Sequence, residues 1–152
     1  MEPLKVPKRR VVVDVTFANG ESRRVAVFLS EGSSAHGGAE RVADLFNGDA
    51  EFIPALEMQG DSMTFVARAS IAVVRSDEPL WDRDEVNLPV EHEVDVLLGS
   101  GESLHGLLSY VLPPERSRVV DYLNEPAPFF ALLENGRAAL VNKRHVRRVV
   151  LR

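Results

Sequence analysis

The chain of 152 residues contains four histidines: His36, His92, His105 and His145. No two of them have the i, i+4 spacing that places two metal ligands on one face of a helix. Glu91, His92 and Glu93 are adjacent, but neighbouring side chains of a strand point to opposite faces, so His92 points away from both carboxylates. The histidines therefore predict no metal site.

Other residue patterns that carry catalysis are also missing from the sequence. Gly99-Ser100-Gly101 is typical of a turn and does not complete the Gly-x-Ser-x-Gly motif of a serine nucleophile. The glycine-rich segment 32–38 lacks the lysine and the following Ser or Thr of a phosphate-binding loop. The chain has no cysteine, which excludes thiol catalysis, disulfides and zinc sites built on thiolates. We expect a non-catalytic protein that needs no cofactor.

The most suggestive cluster of charge lies at the end of the sequence and consists of Lys143, Arg144, Arg147, Arg148 and Arg152. One interpretation is a solvated strand face, balanced by the acidic segment between residues 77 and 95. The other is an anion-binding patch for RNA phosphate or for an acidic protein. The net charge of −5 disfavours a general nucleic-acid binder, since phosphate neutralisation needs an excess of Lys and Arg.

The elements that position these residues are predicted to occur in the same order twice. Alternating apolar residues from Val11 predict a strand, and Asn19-Gly20 predicts a type I′ hairpin turn. Pro54 places the third strand at an edge or a bulge. The further predicted elements are a helix over 39–47, strands over 52–57 and 62–75, then strands from 93 to about 112, a helix over 115–124, and strands over 127–134 and 138–151.

Matched motifs indicate that the chain is one small unit written twice. Asp14 corresponds to Asp95, and Gly20-Glu21-Ser22 corresponds to Gly101-Glu102-Ser103 at the same offset. Three longer pairs follow in the same order: residues 41–47 and 118–124, residues 52–57 and 129–134, and residues 65–68 and 140–143. The gaps fall between the motifs, where loops are expected.

The predicted fold is mainly β, with two tandem small five-stranded barrels that each carry a short helix between strands 2 and 3. We expect a flexible basic arm over 1–10, a first barrel over 11–75, an acidic linker over 76–89 and a second barrel over 90–152. The linker holds the only tryptophan, Trp81. Trp81 is expected to pack onto a barrel, and the alternative is a hydrophobic anchor for a partner.

The second unit resembles the small barrels of the Sm-like proteins, which include bacterial RNA chaperones that form rings. The residues that carry the resemblance are Val94–Leu98 with Gly101, Leu104-His105-Gly106, Phe129–Leu133 and the ending Val141–Val150. The resemblance implies an SH3-like or Sm-like fold with an RNA site near Asn142, Lys143 and His145. Departures include the helix between the second and third strands and Val25 in place of the second-strand glycine.

The leading functional hypothesis is a bacterial, cytoplasmic module without catalytic activity that binds a protein or joins an assembly. The alternative is an RNA binder that uses the C-terminal patch, and a small-ligand sensor between the barrels is a third hypothesis. Exposed strand edges could pair between copies of the chain. No apolar run approaches the roughly 20 residues that span a bilayer. The predicted anion, RNA or partner site consists of Asn142, Lys143, Arg144, His145, Arg147 and Arg148.

Overall fold

The computed structural model describes residues 7–31, 39–78 and 89–152. The first half contains β1 (Lys8–Phe17), β2 (Ser22–Ser30), α1 (Val42–Phe46), β3 (Phe52–Glu57), β4 (Met63–Ala67) and β5 (Ile71–Ser76). The second half contains β6 (Val90–Leu98), β7 (Ser103–Tyr110), α2 (Val119–Leu123), β8 (Phe129–Glu134), β9 (Arg137–Asn142) and β10 (Val146–Leu151). Short 3-10 turns at Arg68–Ser70, Pro114–Arg116 and Lys143–His145 complete the described structure.

The ten strands of the described residues belong to one antiparallel sheet, in the order β10-β6-β7-β8-β9-β5-β1-β2-β3-β4. In each half the fifth strand (β5 or β10) pairs with the first strand (β1 or β6), and the fourth strand (β4 or β9) lies at the opposite edge of that half. The two halves are joined where β5 pairs with β9. The predicted pair of closed five-stranded barrels is not confirmed, since the strands form one continuous sheet that ends at β4 and β10. The mainly β fold is confirmed, as is a short helix between the second and third strands of each half.

The pairing of the first and fifth strands is irregular at corresponding places in the two halves. The β1–β5 register shifts between Thr16 and Phe17, where Phe17 pairs with Ile71 and Thr16 with Val73. The β6–β10 register shifts between Val146 and Arg148, which pair with Leu98 and Leu97. A single extra residue of this kind bends a strand and increases its local twist.

Two apolar cores lie on opposite faces of the β5–β9 ribbon. The first core takes side chains from all five strands of the first half and from α1, and it also takes Phe129, Ala131, Ala138 and Leu140 of the second half. The second core lies under β6 to β10 and takes Ala72 and Val73 from β5. Because β5 and β9 are buried on both faces, each half completes the core of the other.

The short helices begin at the same Arg-x-x-Asp pattern. The backbone N–H of Arg41 donates to Asp44 Oδ2 at 2.9 Å, and that of Arg118 donates to Asp121 Oδ2 at 3.1 Å. A carboxylate in the first turn satisfies a backbone donor that has no partner within the helix. The aspartates therefore fix where each helix starts.

Two details of the prediction change. Lys8, Arg9 and Arg10 belong to β1 and not to a flexible arm, because their backbone pairs with Ser30, Leu29 and Phe28 of β2. Asn19 does not have positive φ, so the first hairpin is not type I′. Four residues separate β1 from β2 there, which is longer than the two-residue loop of that turn.

The hairpin between β8 and β9 does have the positive φ angles that a type I′ turn requires, 49° at Asn135 and 79° at Gly136. The position of Pro54 also agrees with its chemistry. The β2–β3 ladder covers only Ala55, Leu56 and Glu57 of β3, so it ends just before Pro54, which has no N–H to donate. Trp81 lies outside the described residues, and no described helix is long and apolar enough to cross a membrane.

Candidate functional site

The predicted basic site begins at the 3-10 turn Lys143–His145, and two of its members hold the halves together. Asn142 is buried, and its Nδ2 donates to the carbonyl of Ile71 at 2.9 Å while its Oδ1 accepts from the Arg144 N–H at 3.0 Å. His145 Nε2 donates to the carbonyl of Ala69 at 2.6 Å. The side chains of Asn142 and His145 are therefore occupied by contacts with the first half or with the turn itself.

The charged members of the predicted site separate into two places. Lys143 is half-buried and donates to the carbonyl of Glu125, and burial lowers the pKa of its ammonium, although the Glu125 carboxylate acts in the opposite direction. Arg144 is exposed and lines a groove beside the turn. Arg147 and Arg148 are exposed on β10, at the end of the sheet, and do not line that groove. The structure thus does not make one patch of all six predicted residues.

The groove is formed by both halves of the chain and encloses about 520 Å³. We call it the junction groove, and its lining residues are Glu51, Phe52, Ala67, Arg68, Ala69, Pro128, Phe129, Asn142, Lys143 and Arg144. Phe52 is 58% exposed. Its aromatic ring lines the groove together with three cationic side chains, those of Arg68, Lys143 and Arg144. Flat rings next to cations are the arrangement on which unstacked bases bind.

Sequence reasoning missed Phe52 and Arg68 as members of this groove. The available signal was their correspondence with Phe129 and Lys143 in the matched motifs. The sequence alone does not show that β5 and β9 pair, and this pairing is what brings the 3-10 turns of both halves to one groove.

The junction between the halves is a short ladder of β5 and β9 residues that ion pairs reinforce. Its paired residues are Val73 with Val141, Val74 with Leu140, Arg75 with Ala139 and Ser76 with Ala138. Ion pairs flank the ladder, with Arg75 Nε 2.8 Å from Glu134 Oε1 and Arg137 Nη2 2.7 Å from Asp14 Oδ2. Arg75 also donates through Nη2 to Glu134 Oε2 at 3.4 Å, and a bidentate contact between arginine and a carboxylate gives orientation as well as attraction.

Four apolar residues of β8 and β9 are buried at this junction, within the first core: Phe129, Ala131, Ala138 and Leu140. The Phe129 ring lies edge-to-face with Phe46 of α1 at a centroid distance of 6.0 Å. The backbone N–H of Phe129 donates to Asn47 Oδ1, which follows α1, at 2.8 Å. The junction therefore combines a strand ladder, an aromatic contact and a side-chain cap.

The four residues at the same places in β3 and β4 are exposed: Phe52, Pro54, Met63 and Phe65. The exposed fractions are 58% for Phe52, 53% for Met63 and 67% for Phe65. Pro54 pairs directly with Phe65, so the four side chains lie on one face of two adjacent strands. We call them the β3–β4 face. It is a contiguous apolar surface at one end of the sheet.

A cluster of titratable groups lies on the outer surface of β6 and β7. His105 is 2.7 Å from Asp95 Oδ1 through Nδ1 and 2.8 Å from Glu93 Oε1 through Nε2, and Arg152 also pairs with Asp95. The hydrogen bond to Asp95 raises the pKa of His105, and the bonds from His105 and then Arg152 lower the pKa of Asp95. Asp14 makes matching ion pairs with Arg137 and Arg24, so both aspartates act as acceptors on the sheet surface.

A second cavity of about 450 Å³ lies between the two helices and is mainly apolar. Tyr110 and Tyr122 stack in its wall with ring centroids 4.5 Å apart. The Tyr110 hydroxyl donates to the Ser117 carbonyl, and the Tyr122 hydroxyl accepts from the Ala131 N–H. Burial raises the pKa of both phenols. With Ala43 and Asn47 in its lining, this cavity also lies between the halves, as the small-ligand hypothesis requires.

Within residues 7–31, 39–78 and 89–152, no group of three or more His, Asp or Glu side chains is arranged to hold a metal ion. Comparison of the chain with protein-family models, with curated protein sequences and with solved structures finds no match. Function is therefore inferred from the geometry of the junction, the groove and the β3–β4 face.

Proposed function

We propose that the protein is a non-catalytic interaction module that binds the edge strand of another β-sheet at β4. The observation that carries this proposal is the exposure of the β3–β4 face, whose counterparts in the second half are buried where β5 joins β9. An edge strand presents unpaired N–H and C=O groups, which can accept a further strand. The apolar face then supplies the burial that stabilises the pairing.

In this proposal each half is a strongly curved, five-stranded small unit. The order β5-β1-β2-β3-β4 in the first half and β10-β6-β7-β8-β9 in the second half supports this view. So does the first core, which receives side chains from every strand of its half. A flat sheet could not direct five strands towards one core, so the strands of each half must curve. The fourth and fifth strands are the two edges of each curved unit, and units join through these edges.

A photoreactive amino acid placed at Phe65 tests the proposed binding surface in living cells that make the full chain. We expect ultraviolet light to produce covalent protein adducts from position 65. The matched control is the same substitution at Val111, which is also exposed but directly follows β7. Adducts that are equally abundant from both positions, or absent from position 65, would contradict the proposal.

An RNA-binding function is the second candidate, and the junction groove favours it. Phe52 offers a face for a base, while Arg68, Lys143 and Arg144 offer charges for phosphate. The negative net charge of the chain is not a barrier if the cations are concentrated in one groove. The small-ligand hypothesis stays a prediction that rests on the cavity between the helices.

Fluorescence polarisation with a labelled single-stranded RNA tests the second candidate. We expect Phe52→Ala to weaken binding by about tenfold, because stacking of one base on an aromatic ring contributes roughly 1–3 kcal/mol. Arg144→Glu should weaken binding and reduce its dependence on salt. Arg147→Glu is the control, since Arg147 is exposed outside the groove. An equal loss for Arg147→Glu and Arg144→Glu would show that the groove is not the site.

A further inference from the structure

We propose that the cavity between the two helices binds a flat aromatic amine, with its ring against the stacked tyrosines and its protonated amino group at Glu125. This inference gives the small-ligand hypothesis a chemical class and is independent of the strand-binding function at β4. The cavity encloses about 450 Å³, within the roughly 300–1,000 Å³ that small-molecule sites occupy.

The cavity lies where β7 and β8 move apart. Among the described residues these two strands pair only through Leu107 and Leu133. Two positions further along each strand are Ser109 and Ala131, which would face each other if the ladder continued, and both line the cavity. The Ala131 N–H donates instead to the Tyr122 hydroxyl of α2, at 3.0 Å. The sheet is therefore open at this point, and α2 supplies the hydrogen bond that the ladder does not.

Stacked rings and apolar side chains form the wall of the cavity. The rings of Tyr110 and Tyr122 are nearly parallel, with an interplanar angle of 8° and centroids 4.5 Å apart. The apolar members of the lining include Ala127, Phe129 and Leu140. Aromatic rings attract further rings beyond the effect of buried area, because their faces and edges carry opposite partial charge. The wall therefore favours a ligand whose body is flat and aromatic.

Three polar side chains of the lining have hydrogen-bonding capacity that no described residue uses. Ser109 is only 7% exposed, and its hydroxyl makes no hydrogen bond to a described residue. The Tyr122 hydroxyl accepts from Ala131, and burial raises the pKa of this phenol, so it keeps a proton to donate. Asn47 accepts from the Phe129 N–H through Oδ1, and its Nδ2 donates to no described residue. Polar groups this close to an apolar wall are stabilised by a ligand that hydrogen-bonds to them.

The charge of the lining determines the charge of the ligand. Glu125 supplies a carboxylate, and Lys, Arg and His are absent from the described residues that line the cavity. Lys143 acts on this carboxylate, but its ammonium donates to the backbone carbonyl of Glu125, and Lys143 lines the junction groove and not this cavity. The Glu125 carboxylate itself forms no ion pair with a described residue. A cation that enters the cavity therefore gains an opposite charge, and the tyrosine rings attract it as well.

The same lining disfavours the other classes of small ligand. A phosphate or carboxylate group would bring negative charge beside Glu125 without a cation in the wall to balance it. A wholly apolar ligand would cover the Ser109 hydroxyl and leave it without a partner, which costs free energy. A protonated aromatic amine avoids both costs, since its ring covers the apolar wall and its N–H groups donate to the carboxylate.

Isothermal titration calorimetry at neutral pH with three indoles tests the proposal. Tryptamine carries a positive charge, indole-3-ethanol is neutral and indole-3-acetate carries a negative charge, while the ring is the same in all three. We expect tryptamine to bind about tenfold more tightly than indole-3-acetate, because like charges placed together oppose binding, and indole-3-ethanol to fall between them. The comparison isolates the charge of the ligand from the burial of its ring.

Glu125→Gln removes the charge of the carboxylate and keeps the size of the side chain. We expect it to weaken tryptamine binding by about tenfold and to change indole-3-ethanol binding by less than about twofold, since only the charged ligand loses its ion pair. Glu51→Gln is the matched control, because Glu51 is an exposed carboxylate that lines the junction groove beside Phe52. That variant should bind all three indoles like the unchanged chain.

Ser109→Ala separates a binding role of the hydroxyl from a structural one. Removing a buried hydroxyl that has no protein partner should raise the midpoint of thermal unfolding by about 2 °C. The same variant should weaken tryptamine and indole-3-ethanol alike, by about threefold, because the hydroxyl serves both ligands. A residue that only supported the fold would lower the midpoint when replaced.

The possible outcomes decide both the ligand class and its place. Indole-3-acetate that binds as tightly as tryptamine, or no tryptamine binding at millimolar concentration, overturns the proposed class. A loss of tryptamine binding in Glu51→Gln that equals the loss in Glu125→Gln overturns the cavity as its site. A ¹H–¹⁵N spectrum adds a direct readout, since tryptamine should shift the Ala131 amide signal and leave that of Phe65 unchanged. None of these results decides the function at β4, which the photoreactive residue at position 65 tests separately.

Discussion

Replacing Phe129 by alanine is expected to lower the free energy of unfolding by about 3–5 kcal/mol, the usual cost of removing a buried phenylalanine ring. Phe129 is only 3% exposed and lies against Phe46 in the first core, although its strand belongs to the second half. The loss should appear in one cooperative transition for the whole chain, because each core contains strands of both halves. Urea denaturation followed by circular dichroism measures both the midpoint and the cooperativity.

Phe52→Ala is the matched control for this prediction. Phe52 occupies the corresponding place in β3, but it is 58% exposed, so the same change of side chain should alter the free energy of unfolding by only about 0.5 kcal/mol. The measurement is made at low protein concentration, so that any association of copies does not contribute. Equal losses for the two variants would mean that the β8–β9 strands do not complete the first core.

Phe52 and Phe129 show that the sequence predicts the strands but not which of them is buried. Both residues open the same apolar motif, and the motif correctly predicts a strand in each half. Whether a strand is covered on its outer face depends on which other strand lies beside it. That information is spread over distant residues, because β5 and β9 are separated by about 60 positions in the chain.

A local signal for the junction was nevertheless present in the sequence. Residues 71–74 (Ile-Ala-Val-Val) form an unbroken apolar run, which is typical of a strand buried on both faces. Residues 138–141 (Ala-Ala-Leu-Val) form a similar run in β9. The corresponding places in β10 include Arg147 and Arg148, which indicate a strand with one face left open. Comparing the two halves strand by strand would have predicted which edges meet.

The sequence predicts which polar residues lie in the turn of the candidate site, but it does not predict what their side chains bind. Asn142 and His145 have polar side chains in the predicted binding turn, yet the fold uses them to hold the first half. A sequence shows that a side chain can donate a hydrogen bond and does not show which carbonyl it will meet. Arg144 belongs to the same 3-10 turn, is exposed and lines the groove.

Gly106 is the position at which one added side chain is expected to damage the second half most. A Cβ atom built there would lie 2.4 Å from the backbone oxygen of Leu133, a distance at which the two strands must move apart. The β7 and β8 backbones pair only through Leu107 and Leu133, so the close approach is local and cannot be relieved by sliding. Gly106→Val should therefore lower the free energy of unfolding by about 3 kcal/mol, at the upper end of the usual cost of overpacking.

Two comparisons make the Gly106 prediction specific. Gly99→Ala is the control, because a Cβ there would lie 3.7 Å from the His145 oxygen, an ordinary contact, and its effect on thermal unfolding should be small. The first half has Val25 at the place of Gly106, where β2 and β3 pair over three residues and accommodate a buried side chain. The glycine is thus required by the approach of β7 to β8 and not by the strand position itself. A Gly106→Val variant as stable as Gly99→Ala would show that β7 and β8 do not approach so closely.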